Sequence, residues 1–367
     1  IGSSLVGSEM CIRDRYMAND GISDDFYPWD WLYYSEKRRQ KEHELNEEEV
    51  KAYFSLDQMV EAAFYCANKL FGLSFQPVSL PLYHKDCKAW EVTKNGEKIA
   101  LFIGDYFARS SKRSGAWCSA FQSQAKFPVS QKPIVLNVCN FAKGSPTLLS
   151  FDDARTLFHE FGHALHQILS NVTYEPLSGT SVSRDFVELP SQLFEHWLTV
   201  PEVLKSFAVH YKTKSPISEK LMERLIGASH YDMGYQTVEY TSSALVDLYF
   251  HLEDTEKDVM ELQNEILSKI GLPEAIKMRH ATPHFAHVFS GGYYAAAYYS
   301  YMWSEVMDAD AFSAFEELDN PFDADLAKSL EDNILSKGNS LDPEIAYKRF
   351  RGSLPKVDAL LRGRGLI

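Results

Sequence analysis

The chain has 367 residues, 45% hydrophobic and 24% charged, which is enough to bury a substantial core in one large domain or two modest ones. Aromatic residues at 13% exclude disorder for most of the chain. With 37 Lys and Arg against 51 Asp and Glu, the net charge of −14 argues against a general nucleic-acid-coating role.

Residues 1–19 are Ser/Gly-rich and aperiodic and resemble translated adapter sequence, so an extraneous, disordered tail is expected there, with one domain over 20–367. The segment Trp29–Leu70 is rich in helix formers, and Glu47, Glu48 and Glu49 suit a solvated helix face. Between Trp90 and Tyr106, Asn95-Gly96 separates two runs of β-formers, the signature of a hairpin. PIVLNVCNF (133–141) predicts a third strand, and beyond Phe151 the apolar period is helical, with breaks at 176–179, 214–216 and 288–292. The expected fold is therefore mainly α and multi-helical, with one small β-sheet ahead of and beside its central helix.

The five cysteines (Cys11, Cys66, Cys87, Cys118, Cys139) include no C-x-x-C pair, as for free thiols in a reducing compartment. No apolar run approaches the ~20 residues of a membrane span. The first residues also lack a secretory signal, so a cytoplasmic location is expected.

The central helix carries the strongest chemical signal. In DDARTLFHEFGHALHQILS (152–170), His159-Glu160-Phe161-Gly162-His163 fits H-E-x-x-H. One helical turn places both imidazoles on one face, where they can bind a single Zn²⁺. Glu160 then lies beside the open coordination position and can take a proton from water activated there. A capping signal is present at Asp152/Asp153, and Leu157, Phe158, Phe161, Ala164, Leu165 and Ile168 form an apolar opposite face. A catalytic zinc site needs a third protein ligand. Glu188, in the amphipathic SRDFVELPSQLFEHW, is the first candidate, with Glu195 and His166 as competitors. Glu195 also suits a partner that orients a histidine, His166 a capping or channel residue, and His196 packing.

FHEFGHALH with DFVELPSQ downstream resembles the thimet-oligopeptidase family of zinc peptidases. The likeness continues through PWDWLYYSEKRRQ (28–40), LFIGDYFARSSKRSGAW (101–117), NFAKGSPTLLSF (140–151), HVFSGGYYAAAYYSYMWSEV (287–306) and the terminal RGRGLI. RDFVELPSQLFEHW and ILSKGNS are more similar to its bacterial peptidyl-dipeptidase branch than to its oligopeptidase A branch. The resemblance implies one Zn²⁺ per chain held by His159, His163 and Glu188, with Glu160 as general base. It further implies Tyr294 and Tyr301 as donors to the developing oxyanion, with His287 beside them. Two departures bear on this. The loop between His287 and the YYSY run is slightly longer than in many relatives, which makes Tyr293 a rival to Tyr294, and Ala297 stands where glycine is common. Family members also carry an additional N-terminal helical half, so the chain resembles an N-terminally truncated catalytic portion.

The implied activity is zinc-dependent hydrolysis of peptide bonds in short oligopeptides, with release of C-terminal dipeptides. Endo-acting cleavage is the rival within the class, and an inactive zinc-binding fragment the rival outside it. A zinc hydrolase of non-peptide substrates fits H-E-x-x-H alone. Dipeptide release needs a cation for the substrate carboxylate, for which Arg109, Lys112, Arg113 and Arg184 are candidates. Short peptides are the expected partners of a monomeric chain, with no nucleic acid and no membrane.

Overall fold

The computed structural model describes residues 2–23, 25–228, 231–252 and 256–367. In place of the single domain expected over 20–367 there are two compact units. One comprises Glu47–Met222 and Ser304–Leu360; the other comprises Ile1–Asn46, Glu223–Trp303 and Leu361–Ile367.

The first unit contains a five-stranded sheet of β1 (Leu73–Val78), β2 (Lys88–Lys94), β3 (Glu97–Phe107), β4 (Trp117–Gln122) and β5 (Ile134–Phe141), in the order β1-β2-β3-β5-β4. The hairpin forms where the sequence predicts it. Asn95 and Gly96 both take positive φ, 53° and 80°, as a two-residue turn compatible with strand twist requires. β3 and β5 run parallel, and β4 joins the outer side of β5 antiparallel as an edge strand. β1, at the other edge, contains Pro77, tolerated where no further ladder depends on its missing N–H.

The central helix spans Phe151–Ile168. Its N-cap is Ser150, two residues before the expected position. Ser150 Oγ accepts from Asp153 N at 3.0 Å, and Asp153 Oδ2 accepts from Ser150 N at 3.1 Å. Two otherwise orphaned donors are satisfied reciprocally, a cap contributing about 1 kcal/mol. The apolar face is buried as the periodicity predicts. Phe161 lies 5.6 Å from Phe64 of the helix Leu56–Phe71, 5.3 Å from Phe102 of β3 and 5.6 Å from Phe194 of the helix Leu189–Glu195. Burying each such ring stabilises by roughly 1.5–3 kcal/mol, so this aromatic cluster fixes the helix against the sheet. Asn137 on β5 adds a polar tie, its Nδ2 donating to Glu160 O at 2.7 Å.

In the second unit, residues 1–19 do not form the expected disordered tail. Gly2–Asn19 is helical, with Val6 and Arg13 fully buried. The Arg13 guanidinium lies 4.2 Å from the Trp31 ring centroid, donates to Ser35 Oγ and pairs with Asp232. Such a charge can be buried only because it is paired. The long helix Met233–Leu252 and the helix Val259–Lys269 follow, and the tyrosine-rich segment leads into the helix Ser300–Glu317, which belongs to the first unit from Ser304 onward. All five cysteines are free thiols. Among the described residues no helix is long and apolar enough to cross a membrane.

Candidate metal centre

His159 and His163 project from one face of the central helix, and Glu188 reaches them from the following segment. Glu188 sits between two short helices, Arg184–Val187 and Leu189–Glu195, where a single amphipathic helix was expected. Pro190 lacks the backbone donor that an uninterrupted helix would use there. The approach of this segment depends on Gly162. A Cβ at that position would lie 2.6 Å from Pro190 O and 2.7 Å from Ser191 Cα, closer than any alanine could be placed without displacing backbone.

Glu188 Oε2 lies 3.2 Å from His159 Nε2 and 3.1 Å from His163 Nε2. One atom from each of the three residues falls within 4.8 Å of the other two. The donor set fits a zinc ion. Bonds of about 2.0–2.1 Å in a tetrahedron separate neighbouring ligand atoms by about 3.3 Å, close to the two spacings observed. Glu188 is buried, and Ser191 Oγ holds it, 2.8 Å from Glu188 O and 3.1 Å from Oε2.

Glu195 does not join this set but lies behind it, with Oε1 2.7 Å from His159 Nδ1. Donation from Nδ1 to this carboxylate fixes the tautomer that leaves Nε2 available as a ligand. Glu160 is buried, with its Oε2 lacking a hydrogen-bond partner, as does His163 Nδ1.

The electrostatics follow from burial and these pairs. Burial opposes charge on His159, but Glu188 and Glu195 outweigh it and hold the imidazole well above its ordinary value. Burial would raise Glu188, yet the two imidazoles keep it well below the usual carboxylate range. Burial raises Glu160. His166, fully buried with neither ring nitrogen partnered, is pushed down to about 3 by desolvation and then by His163; it is neither a cap nor part of the ligand set. His196 packs, as expected, with its ring 4.5 Å from that of Phe312, and its Nε2 lies 2.8 Å from Asp308 Oδ1.

His287, Tyr294 and Tyr301 gather in the second unit. His287 Nε2 is 2.8 Å from Tyr301 Oη, and its ring stacks 4.3 Å from that of Tyr294. Tyr293, the rival, is 61% exposed. Asp247, which nothing in the sequence singles out, organises the loop that carries them. Fully buried, it accepts from Ala296 N and Tyr298 N, both at 2.9 Å. Ala296, next to the position where glycine was noted as common, takes the positive φ of 56°.

Two of the four cations considered for a substrate carboxylate are committed elsewhere. Arg109 makes a bidentate pair with Asp105 at 2.7 Å for both contacts, and Lys112 Nζ donates to the carbonyls of Asp105, Phe107 and Cys139. Burial alone would raise Asp105, but Arg109, Lys112 and Tyr83 hold it at about 2. Arg113 is exposed and Arg184 half-buried.

A multi-helical chain whose central helix lies against a five-stranded sheet and presents two histidines one turn apart has a zincin-like fold. The chain belongs to Peptidase family M3, whose model matches residues 3–366. Its relatives include the Escherichia coli K12 dipeptidyl carboxypeptidase, 41% identical over 92% of this chain and 51% of the relative. Oligopeptidase A of the same organism is 36% identical over 94% of this chain and 52% of the relative. The chain thus spans about half the length of the curated relatives it matches. Among solved structures, Trypanosoma cruzi metallocarboxypeptidase 1 shares the fold with a TM-score of 0.50 at 15% identity, covering 95% of this chain and 67% of that one.

Proposed function

We propose that the protein is a zinc-dependent peptidase acting on short peptides, with His159, His163 and Glu188 as the ligands of one zinc ion. The observation that carries this reading is the convergence of His159 Nε2, His163 Nε2 and Glu188 Oε2 at tetrahedral spacing beside Glu160. Zinc, when bound, makes water more acidic and polarises a carbonyl.

The chain's own residues supply the rest. Glu160 removes the proton from the attacking water and delivers it to the leaving amine. Glu195 keeps His159 in the tautomer that binds through Nε2. Family membership supports Tyr294 and Tyr301 as hydroxyl donors to the oxyanion, where a donor aimed at developing charge contributes most. His287, bonded to the Tyr301 hydroxyl, sets that hydroxyl's orientation.

Release of C-terminal dipeptides is the specificity we infer. The 41% identity to a dipeptidyl carboxypeptidase supports it over endo-acting cleavage. With Arg109 and Lys112 committed to Asp105, the exposed Arg113 is a candidate to receive the substrate carboxylate.

The test compares hydrolysis of one peptide with a free and with an amidated C-terminus, followed by mass spectrometry. Dipeptide release from the free peptide and stalling on the amide are expected; internal cleavage of both would favour the endo-acting alternative. In parallel, Glu160→Gln should lose at least about a hundredfold in turnover while keeping stoichiometric zinc. Zinc retained by the wild type without turnover of any peptide would overturn the peptidase reading.

A further inference from the structure

One turn along the central helix from the ligand set, the same unit contains a cavity of about 240 Å³, walled by β4, Gln167 and the loop carrying Thr180 and Ser181. Gln167 follows His163 by four residues, so it shares that face of the helix and sits about 6 Å further along the axis. An extended peptide advances about 3.3 Å per residue, so the cavity is within reach of a residue about two positions from a bond held at the metal.

The cavity has a defined hydrogen-bonding character. Gln167 is 8% exposed, and its Nε2 lies 3.4 Å from Cys118 Sγ. Gly179, at φ +51°, presses on it so closely that a Cβ there would lie 3.0 Å from Gln167 Cα. With its amide nitrogen turned to the thiol, Gln167 keeps Oε1 as an acceptor. Neither that oxygen nor the hydroxyls of Thr180 and Ser181 have a partner among the described residues. Ser178, by contrast, spends its hydroxyl on Ser170 at 3.1 Å. No charged side chain lines the cavity.

The volume is smaller than the roughly 300–1,000 Å³ of clefts that enclose drug-sized ligands, and it suits a single side chain. One wall is the edge strand β4, which pairs with β5 on one side only. Its other side offers unpaired backbone groups to an extended peptide.

We propose that this cavity is a selectivity pocket for an uncharged hydrogen-bonding side chain (Ser, Thr, Asn or Gln) of a peptide laid along β4, a proposal that rests on the peptidase reading above. An amide or hydroxyl can satisfy one fixed acceptor and two hydroxyls together. A carboxylate or ammonium entering would lose hydration without meeting a counter-charge. An aliphatic side chain would leave polar groups on the wall unmatched, a discrimination that hydrogen-bonding pockets make strongly.

The experiment measures Kd for a panel of fluorescent hexapeptides, varied one position at a time, on zinc-loaded protein carrying Glu160→Gln so that none is consumed. At one position, Asn, Gln, Ser and Thr should bind about tenfold tighter than Asp, Glu, Lys or Leu. In the same background, Thr180→Val with Ser181→Ala should flatten that preference while leaving the affinity for the Ala-bearing peptide unchanged. A flat profile in the parent, a profile unaltered by the double substitution, or no binding of any peptide would overturn the pocket. Wild-type turnover of the same panel separates the two readings: selective binding without hydrolysis overturns the peptidase and leaves the pocket standing.

Discussion

Gly162 illustrates how one residue sets the geometry of a site without touching a ligand. It occupies an unconstrained position of H-E-x-x-H, yet its missing side chain lets the backbone at Pro190 and Ser191 lie against the central helix. That contact brings Glu188 Oε2 to 3.1 Å from His163 Nε2. Gly162→Ala must therefore push the segment outward. Overpacking of this kind costs about 1–3 kcal/mol, and moving Glu188 should weaken zinc binding by about tenfold or more. Competition with a zinc indicator dye checks this; an alanine variant with native zinc affinity would show that the segment can yield without moving the ligand. Sequence spacing alone identified both histidines and Glu160, because one helical turn is a local property. It put Glu188 first but left Glu195, two turns further along the same segment, as a competitor. Only the tertiary geometry separates them, with Glu188 at the two Nε2 atoms and Glu195 at His159 Nδ1.

At the scale of elements, turn chemistry and period determined what was legible. Asn95-Gly96 announced the β2/β3 hairpin, and the 3.6-residue period marked the central helix and its buried face. β4 passed unnoticed because WCSAFQ is short, half-buried along most of its length and without alternation; β1 passed because it contains Pro77. The helix Gly2–Asn19 has no apolar period to announce it, and its burial rests on particular contacts such as Arg13 with Asp232. The end of β3 is tied down by electrostatics that composition cannot show. Asp105 is 1% exposed and is gripped by Arg109 and Lys112. Its carboxyl, held at about 2, lies below the unfolded value of about 3.9. The folded state thus binds fewer protons there, so the stabilisation is fully present above about pH 4 and fades as pH falls towards 2. Asp105→Ala, which leaves Arg109 and Lys112 without their partner, should cost about 3–5 kcal/mol at neutral pH. Denaturant midpoints measured against pH should show the gap between wild type and variant narrowing by about 2 kcal/mol between about pH 4 and pH 2; a gap independent of pH would remove Asp105 from this account.

For the whole molecule, the ligand set links metal to stability. If Glu188 and the two imidazoles hold zinc as proposed, they can do so only when the central helix and the Glu188 segment are docked, so the ion would bind the folded chain in preference to the unfolded one. At a free concentration a thousandfold above its Kd, such an ion adds about 4 kcal/mol. Chelation should lower the thermal midpoint by several degrees, and zinc should restore it. Glu188→Gln, nearly isosteric but uncharged, should respond weakly to either; a full response would exclude Glu188 as a ligand.

The strand order carries a further consequence, in time instead of space. β5 lies between β3 and β4, and its parallel pairing of Leu101 with Ile134 cannot be zipped up from a local turn. The chain must close a long loop before that ladder offers any reward, and such pairings are intrinsically slow. The central helix docks on β5 and follows it in sequence, and Glu188 follows later still. The face that supports the His159 and His163 helix is therefore completed by a non-local pairing, and refolding of this unit should be slower than that of a sheet zipped only through local turns.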